Sequence, residues 1–377
     1  MIYLDANATT QLAPEAFETM RPFLMERFGN PSSRHGLGSE ARAAIERARA
    51  GVASFIGANP GDVAFTSSGT ESVGMAFQCA LEGRAMPVLV SAVEHACVLE
   101  ASELWGKRGR TIQTLPIDEQ GRVDPAILDE VLRQSGPAFV SLIWVNNETG
   151  VISPIRELAE VCRNRGALLH VDAIQAIARV EIDVRELSCD YLSIAAHKFN
   201  GPKGAAALYL RPSAPRHAMF PGHQENGLRG GTENVPAIVG MGEAIALKSD
   251  WTPLQTGMAR LRDQLESKVL HAVKGAEVNG GEAPRVANTS NIFFPGKSAA
   301  DLVAGLARAG VYASAGAACS TGGRPSHVLL AMGLPAARAN GSVRFSLDLD
   351  CESAGIEYAA EAIVSVFNSV PDSGRVA

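Results

Sequence analysis

The 377-residue chain reads as an α/β protein built on a mostly parallel sheet covered by helices. Three observations predict it. Short apolar runs recur through the middle of the chain, at Val88 to Val93, Phe139 to Val145, Ala167 to Val171, Tyr191 to Ala195 and Ala205 to Leu210, and read as buried strands. Amphipathic segments alternate with them. In Pro154 to Arg165, for example, Ile155, Leu158, Ala159 and Cys162 share one helical face. Polar residues gather just after the strand runs, and in a parallel sheet ligands bind at the carboxyl ends of strands. Further on, Met258 to Ala272 reads as a helix and Gly275 to Arg285, rich in Gly, Glu and Pro, as a surface loop. From about residue 256 the chain is expected to enter a second, smaller α+β unit, because 377 residues exceed one small core.

Bulk properties narrow the function. Hydrophobic residues make up 46% and charged residues 20%, with a formal net charge of −6, so no nucleic-acid surface is expected. The opening Met1-Ile2-Tyr3-Leu4-Asp5 lacks the cationic and apolar regions of a signal peptide, and no apolar run reaches membrane-spanning length. A cytoplasmic location with reduced thiols is the expectation. Six cysteines, Cys79, Cys97, Cys162, Cys189, Cys319 and Cys351, include no C-x-x-C pair, so no intrinsic metal site is indicated. The first four lie among apolar or helix-like neighbours and read as buried, inert thiols.

The chemistry-bearing residues follow in chain order. Ser67-Ser68-Gly69-Thr70-Glu71-Ser72 comes after the apolar run Val63-Ala64-Phe65, a strand-turn-helix arrangement that favours an anion or serves as a plain helix cap. His95 closes another strand, where an imidazole can stack and exchange protons or be structural. Asn146-Asn147-Glu148-Thr149-Gly150 follows a third, and turn chemistry alone can explain its two asparagines. Asp172 closes one strand run and Lys198 follows the next, at the same predicted sheet edge. Pyridoxal phosphate (PLP) chemistry needs such a pair, an amine for a Schiff base and a carboxylate for the ring nitrogen. The glycine-dense Gly222 to Asn234 permits close approach to a ligand or subunit, or is a mobile surface loop. Cys319 stands in a small-residue loop, where nothing bulky shields the thiol. Arg344, in the strand-like Val343-Arg344-Phe345-Ser346, suits a carboxylate clamp.

Nearly end to end, these residues resemble the cysteine desulfurases, PLP enzymes of the class V aminotransferase group. The matches run in one order: Tyr3-Leu4-Asp5 with Ala8-Thr9-Thr10, Gly29 to His35, Thr70-Glu71-Ser72, Glu94-His95, Val145 to Glu148, His197-Lys198 with Gly201 to Gly204, and Arg344-Phe345-Ser346. Gly231-Thr232-Glu233-Asn234-Val235 is most similar to the nitrogen-fixation type. The resemblance implies a fold-type I architecture: a large PLP-binding domain at residues 14–255 with a seven-stranded sheet, and a small domain of residues 1–13 and 256–377 carrying a mobile cysteine loop at about 315–325. It implies that Lys198 holds PLP as a Schiff base and moves the substrate Cα proton, while Asp172 pairs with the ring nitrogen. Gln175 and Asn147 contact the ring hydroxyl region, and Asn147 the substrate as well. His95 stacks on the ring as an acid/base. Gly69, Thr70 and His197 bind the phosphate, with Thr232 reaching that of the other subunit of a homodimer. Arg344 holds the L-cysteine carboxylate, and Cys319 takes the sulfur as a persulfide. Sulfur then passes to an acceptor or scaffold protein, for iron–sulfur cluster assembly or related transfer. Three departures stand out: Ala195 where the family has Ser or Thr, Arg324 in place of an acid in a shorter loop, and an early end to the tail. Alternatives are a selenocysteine lyase or other class V lyase or aminotransferase, and a PLP-fold sulfur-trafficking scaffold of low activity. A dinucleotide enzyme is disfavoured, since no G-x-G-x-x-G follows the first strand.

Overall fold

The computed structural model describes residues 1–249, 251–316 and 325–372. Twelve strands appear among them: β1 (Ile2–Tyr3), β2 (Val63–Thr66), β3 (Val88–Ser91), β4 (Ile112–Leu115), β5 (Phe139–Ile143), β6 (Leu168–Asp172), β7 (Tyr191–Ala195), β8 (Ala206–Leu210), β9 (Glu277–Val278), β10 (Thr289–Phe293), β11 (Val311–Tyr312) and β12 (Ser342–Ser346). Seven form one sheet in the order β2-β8-β7-β6-β5-β3-β4. All its strands run in one direction except β8, which pairs antiparallel with both β2 and β7. β2, β3, β5, β7 and β8 are buried along their whole length, which is why they read as unbroken apolar runs. β4 escaped sequence analysis because it is buried only at Leu115, and Ile112-Gln113-Thr114-Leu115 has no apolar run to show.

Eight helices pack around this sheet: α1 (Pro14–Met25), α2 (Gly36–Phe55), α3 (Gly69–Leu81), α4 (Ala96–Lys107), α5 (Pro125–Ser135), α6 (Ile155–Asn164), α7 (Val184–Leu187) and α8 (Val235–Ala246). α6 buries Ile155, Leu158, Ala159 and Cys162, the face its periodicity predicts. A separate apolar cluster joins Leu4, Leu265, Ile292, Phe294, Val343, Phe345 and Ile363. It is built on the sheet β12-β10-β9 and on the helices α9 (Trp251–Ala272), α10 (Ala299–Arg308) and α13 (Ser353–Ser369); the short α11 (His327–Ala331) and α12 (Ala336–Asn340) lie between. The parallel pair β1 and β11 brings the first residues into this unit. The segment expected as a plain surface loop, Gly275 to Arg285, carries β9 and buries Asn279, whose amide reaches Asn291 at 2.7 Å and Ser342 at 2.9 Å. Cys79, Cys97, Cys162 and Cys189 are buried, as their neighbours predict. Among the described residues no helix is long and apolar enough to cross a membrane.

Two buried polar devices lock the large sheet. His170 on β6 sits between Ser141 on β5 (2.8 Å) and Ser193 on β7 (2.9 Å), and burial pushes its pKa down to about 3. A neutral ring there offers one donor and one acceptor, one for each hydroxyl. Arg49 on α2 meets Glu225 in a bidentate pair at 2.6 and 3.0 Å, and the same carboxylate accepts the Phe65 backbone N–H at 2.8 Å. Three remote stretches, α2, β2 and the 222–234 loop, are tied there at one point. The glycine density of that loop has a steric origin. A Cβ on Gly222 or Gly230 would come within 2.4 or 2.2 Å of backbone across the loop, so the chain can cross itself only without side chains there.

Removing one partner of the buried pair strands the other charge away from water. Arg49→Met is therefore expected to lower the unfolding free energy by about 3–5 kcal/mol, measured by denaturant titration; a loss below about 1 kcal/mol shows that the pair does not tie these stretches together.

Candidate active site

Parallel pairing of β6 with β7 fixes the geometry of the site. Asp172 is the last residue of β6, paired with Ser193, and Lys198 lies in the 3-10 turn Ala196–Lys198 that closes β7. Both face a cavity of about 240 Å³ at the carboxyl edge of the sheet. Its lining includes Gly69, Thr70, His95, Asn147, Gln175, His197 and Arg344, all singled out by the sequence, together with Ala195. A larger groove of about 510 Å³, lined by Met1, Tyr3, Asp350 and Cys351 among others, brings together no comparable set of acid, base and cation.

The lysine amine donates to the backbone carbonyls of Asn7 at 2.6 Å and Ala8 at 2.9 Å. Asp172 is buried, and burial raises its pKa; His95, the Ile174 N–H and Lys198 pull it back down. One oxygen of its carboxylate accepts that N–H at 3.0 Å. Such a group favours a cation brought against it from the cavity. Gln175 donates to the Asn7 carbonyl at 2.9 Å, while its own amide oxygen accepts from Arg179 at 2.8 Å. Arg179 also reaches the Lys198 carbonyl at 3.2 Å, so one buried guanidinium braces both residues.

The first turn of α3 forms another wall. Ser68 caps it by accepting the Glu71 N–H at 3.2 Å, leaving the Gly69 and Thr70 amides without intrahelical partners, as any helix start must. A Cβ on Gly69 would stand 2.3 Å from the Ile174 side chain and 3.7 Å from the Ala195 Cβ. Glu71 accepts from Ser67 and, at 2.8 Å, from Arg229, which joins this turn to the glycine-dense loop. His197 touches the Thr9 hydroxyl at 3.2 Å, and burial, with Lys198 and Lys203 nearby, holds its pKa down at about 4. It is an uncharged donor or acceptor.

On the opposite wall, Arg344 in β12 is 1% exposed. It donates to the Asn147 carbonyl at 3.0 Å and to the Asp5 carboxylate at 2.7 Å, while its buried Nε has no partner among the described residues. A fork held this way is pre-oriented for a carboxylate. The two asparagines separate in role. Asn146 makes the turn, accepting the Glu148 N–H at 2.9 Å and the Thr149 N–H at 3.1 Å, and Asn147 lines the cavity. Thr232 is exposed and does not line this chain's cavity. Cys319 lies outside the described residues. Asn7, Ile174 and Arg179 were missed by the sequence reading, whereas Ser68 was read as a candidate cap and Cys97 as an inert buried thiol. Ile174 lies between Asp172 and Gln175, which that reading singled out, and Arg179 lies four residues beyond Gln175, whereas nothing local marks Asn7.

The aminotransferase class-V family profile matches residues 2–358. The chain is 42% identical to the cysteine desulfurase of Cereibacter sphaeroides over 377 residues, 98% of this chain and 96% of that protein. Among solved structures it resembles a NifS-like protein from Rickettsia africae ESF-5, with a TM-score of 0.89 and 31% identity over 98% of this chain and 99% of that one. SspA in complex with cysteine superposes with a TM-score of 0.81 and 30% identity, covering 92% of this chain and 99% of that one.

One acid beside the cavity-lining His95 has a measurable signature. Glu94 is fully buried, and burial pushes its pKa up to about 8 against hydrogen bonds from the Ser91 hydroxyl (2.5 Å) and the Ile143 N–H (2.9 Å). Its Oε2 meets no donor among the described residues. The folded state thus holds a proton that the unfolded chain releases near pH 4.5, so Glu94 costs stability progressively as pH rises from 4.5 to 8. Above 8 the cost is constant. The unfolding free energy of Glu94→Gln minus that of the native protein should climb between pH 5 and 8 with a slope approaching about 1.4 kcal/mol per pH unit. Denaturant titrations at pH 5, 6, 7 and 8 measure it, and a flat difference means that Glu94 titrates normally.

Proposed function

The chain belongs to the class-V aminotransferase family, among its cysteine desulfurases, and from that premise we propose that it takes the sulfur from L-cysteine with pyridoxal phosphate, releasing L-alanine. The observation that carries the reading is the convergence of the Lys198 amine, the buried Asp172 carboxylate and the α3 N-terminus on one cavity. That donor set fits the coenzyme: an amine for its aldehyde, an anion for its ring nitrogen and free amides for its phosphate. When bound, pyridoxal phosphate supplies an electron sink for the substrate Cα.

The chain's own groups divide the remaining work. Asp172 holds the ring nitrogen in its protonated form. Gln175 and Asn147 address the ring hydroxyl region, and Gly69, Thr70 and His197 the phosphate. His95 covers the ring face. Lys198 anchors the coenzyme and then carries the Cα proton. Arg344, its fork already set by Asp5 and Asn147, takes the substrate carboxylate, and Asn147 adds a contact to the substrate. Cys319 attacks the substrate sulfur as a thiolate. An S–S bond forms and the Cβ–S bond breaks. The electron pair stays with Cβ, which takes a proton, and the products are alanine and a Cys319 persulfide. In this reading the large domain spans residues 14–255, the small domain spans residues 1–13 and 256–377, and Thr232 completes the phosphate site of the other subunit in a homodimer. The protein works in the cytoplasm, and its persulfide passes to an acceptor or scaffold protein for iron–sulfur cluster assembly or related sulfur transfer.

Incubation with L-cysteine should leave Cys319 heavier by one sulfur atom in a mass spectrum. Alanine release should fall by about 100-fold or more in Cys319→Ala; full activity in that variant rules out the persulfide route. Ala195 tests the coenzyme site. It ends β7 beside the α3 turn, so Ala195→Ser places a hydroxyl toward the phosphate amides. One added hydrogen bond should tighten coenzyme retention about fivefold, read from the loss of coenzyme absorbance on dilution. Unchanged retention places the phosphate elsewhere.

A further inference from the structure

His95 has a thiol two residues on that nothing in the reaction above uses. We infer that His95 works as a neutral imidazole donating through Nε2, and that Cys97 is the positioning residue that holds it in that form. The geometry is one of donors. His95 caps α4, and its Nδ1 lies 3.2 Å from the Cys97 backbone nitrogen and 3.0 Å from the Cys97 sulfur. An amide N–H can only donate. Nδ1 therefore carries no hydrogen, and the thiol hydrogen is the one left to lie between sulfur and ring. On its other side the thiol meets the Thr70 hydroxyl. The Cys97 amide and thiol thus both address Nδ1, and the ring keeps its single hydrogen on Nε2.

Taking a second proton requires Nδ1 and breaks the cap of α4. The surroundings act in the same direction. Burial disfavours the imidazolium most; Lys198 and His327 add to that, and Asp172 and Glu100 oppose it without prevailing. Cys97 keeps its own hydrogen because burial, with Asp172 and Glu94 near, pushes its pKa far up. An imidazole so held cannot collect a proton from a substrate carbon. It can stack and present an N–H, which leaves collection of the Cα proton to Lys198. The identity of what faces Nε2 rests on the coenzyme reading above; the state of the ring does not.

The test is a long-range 1H–15N correlation spectrum of the coenzyme-loaded protein labelled with 15N-histidine, recorded from pH 5 to 9, with His95 assigned through His95→Gln. The expected native signal is the Nε2–H tautomer with a midpoint below the 6.5 of an ordinary imidazole. In Cys97→Ala the ring should bind a proton about fivefold more tightly, the factor carried by one hydrogen bond, and Cys97→Ser, which restores a donor, should return it to native behaviour. A hydrogen on Nδ1 in the native protein, a native midpoint at or above 6.5, or a Cys97→Ala titration identical to the native one overturns the inference. The spectrum reads the ring and not turnover, so it stands apart from failure of the desulfurase reading. The native and Cys97→Ser proteins still decide the matter if the alanine variant does not fold.

Discussion

Everything at this site depends on a carboxylate held out of water at the end of β6. Isolated burial of a charge costs several kcal/mol, so Asp172 persists only because groups of opposite character gather around it. The Ile174 N–H and the Lys198 amine are those groups. Parallel pairing sets their positions: β6 and β7 run side by side with Asp172 opposite Ser193, and the chain turns at Ala196 to bring Lys198 to the same edge. An antiparallel partner would have sent the amine to the far end of the sheet. The direction of one strand pair is therefore a condition of the chemistry.

The N-terminal segment completes what the sheet begins. The Asn7 carbonyl receives both Lys198 and Gln175, and its side chain donates to Thr289 at 2.9 Å and to the Asn147 carbonyl at 3.2 Å. Asn288 donates in turn to the Asn7 amide oxygen at 3.1 Å. One residue thus links the large sheet, the Asn147 turn and β10 of the second unit. Asp5, two residues earlier, orients Arg344. The wall that meets the substrate carboxylate and the wall that holds the amine share a single stretch of backbone, which couples the packing of the two apolar clusters to the shape of the cavity.

Burial also sorts the protons. Glu94, His95, His197 and Cys97 all sit where the charged form is disfavoured, and burial pushes Asp172 the same way against the pull of its neighbours. In a region of low dielectric, few charges act strongly and at long reach. A proton moved there travels between a small number of groups.

Much of this was legible in the chain before any fold was known. Unbroken apolar runs announce β2, β3, β5, β7 and β8, because strands covered on both faces can carry little else. The residues after those runs announced most of the cavity wall, since strand ends in a parallel sheet point one way. β4 was hidden because it buries only one of its four residues. Asn7 and Arg179 were hidden because their work lies in contacts 168 residues away in one case and, in the other, with Gln175 and the Lys198 carbonyl through an irregular turn. Periodicity and local turn chemistry thus determined the elements and the candidate groups. Tertiary structure alone decided which carbonyl receives the lysine, which asparagine turns and which lines the cavity, and which nitrogen of His95 bears hydrogen. Those depend on hydrogen-bond partners brought together by packing, and one-dimensional spacing carries no record of them.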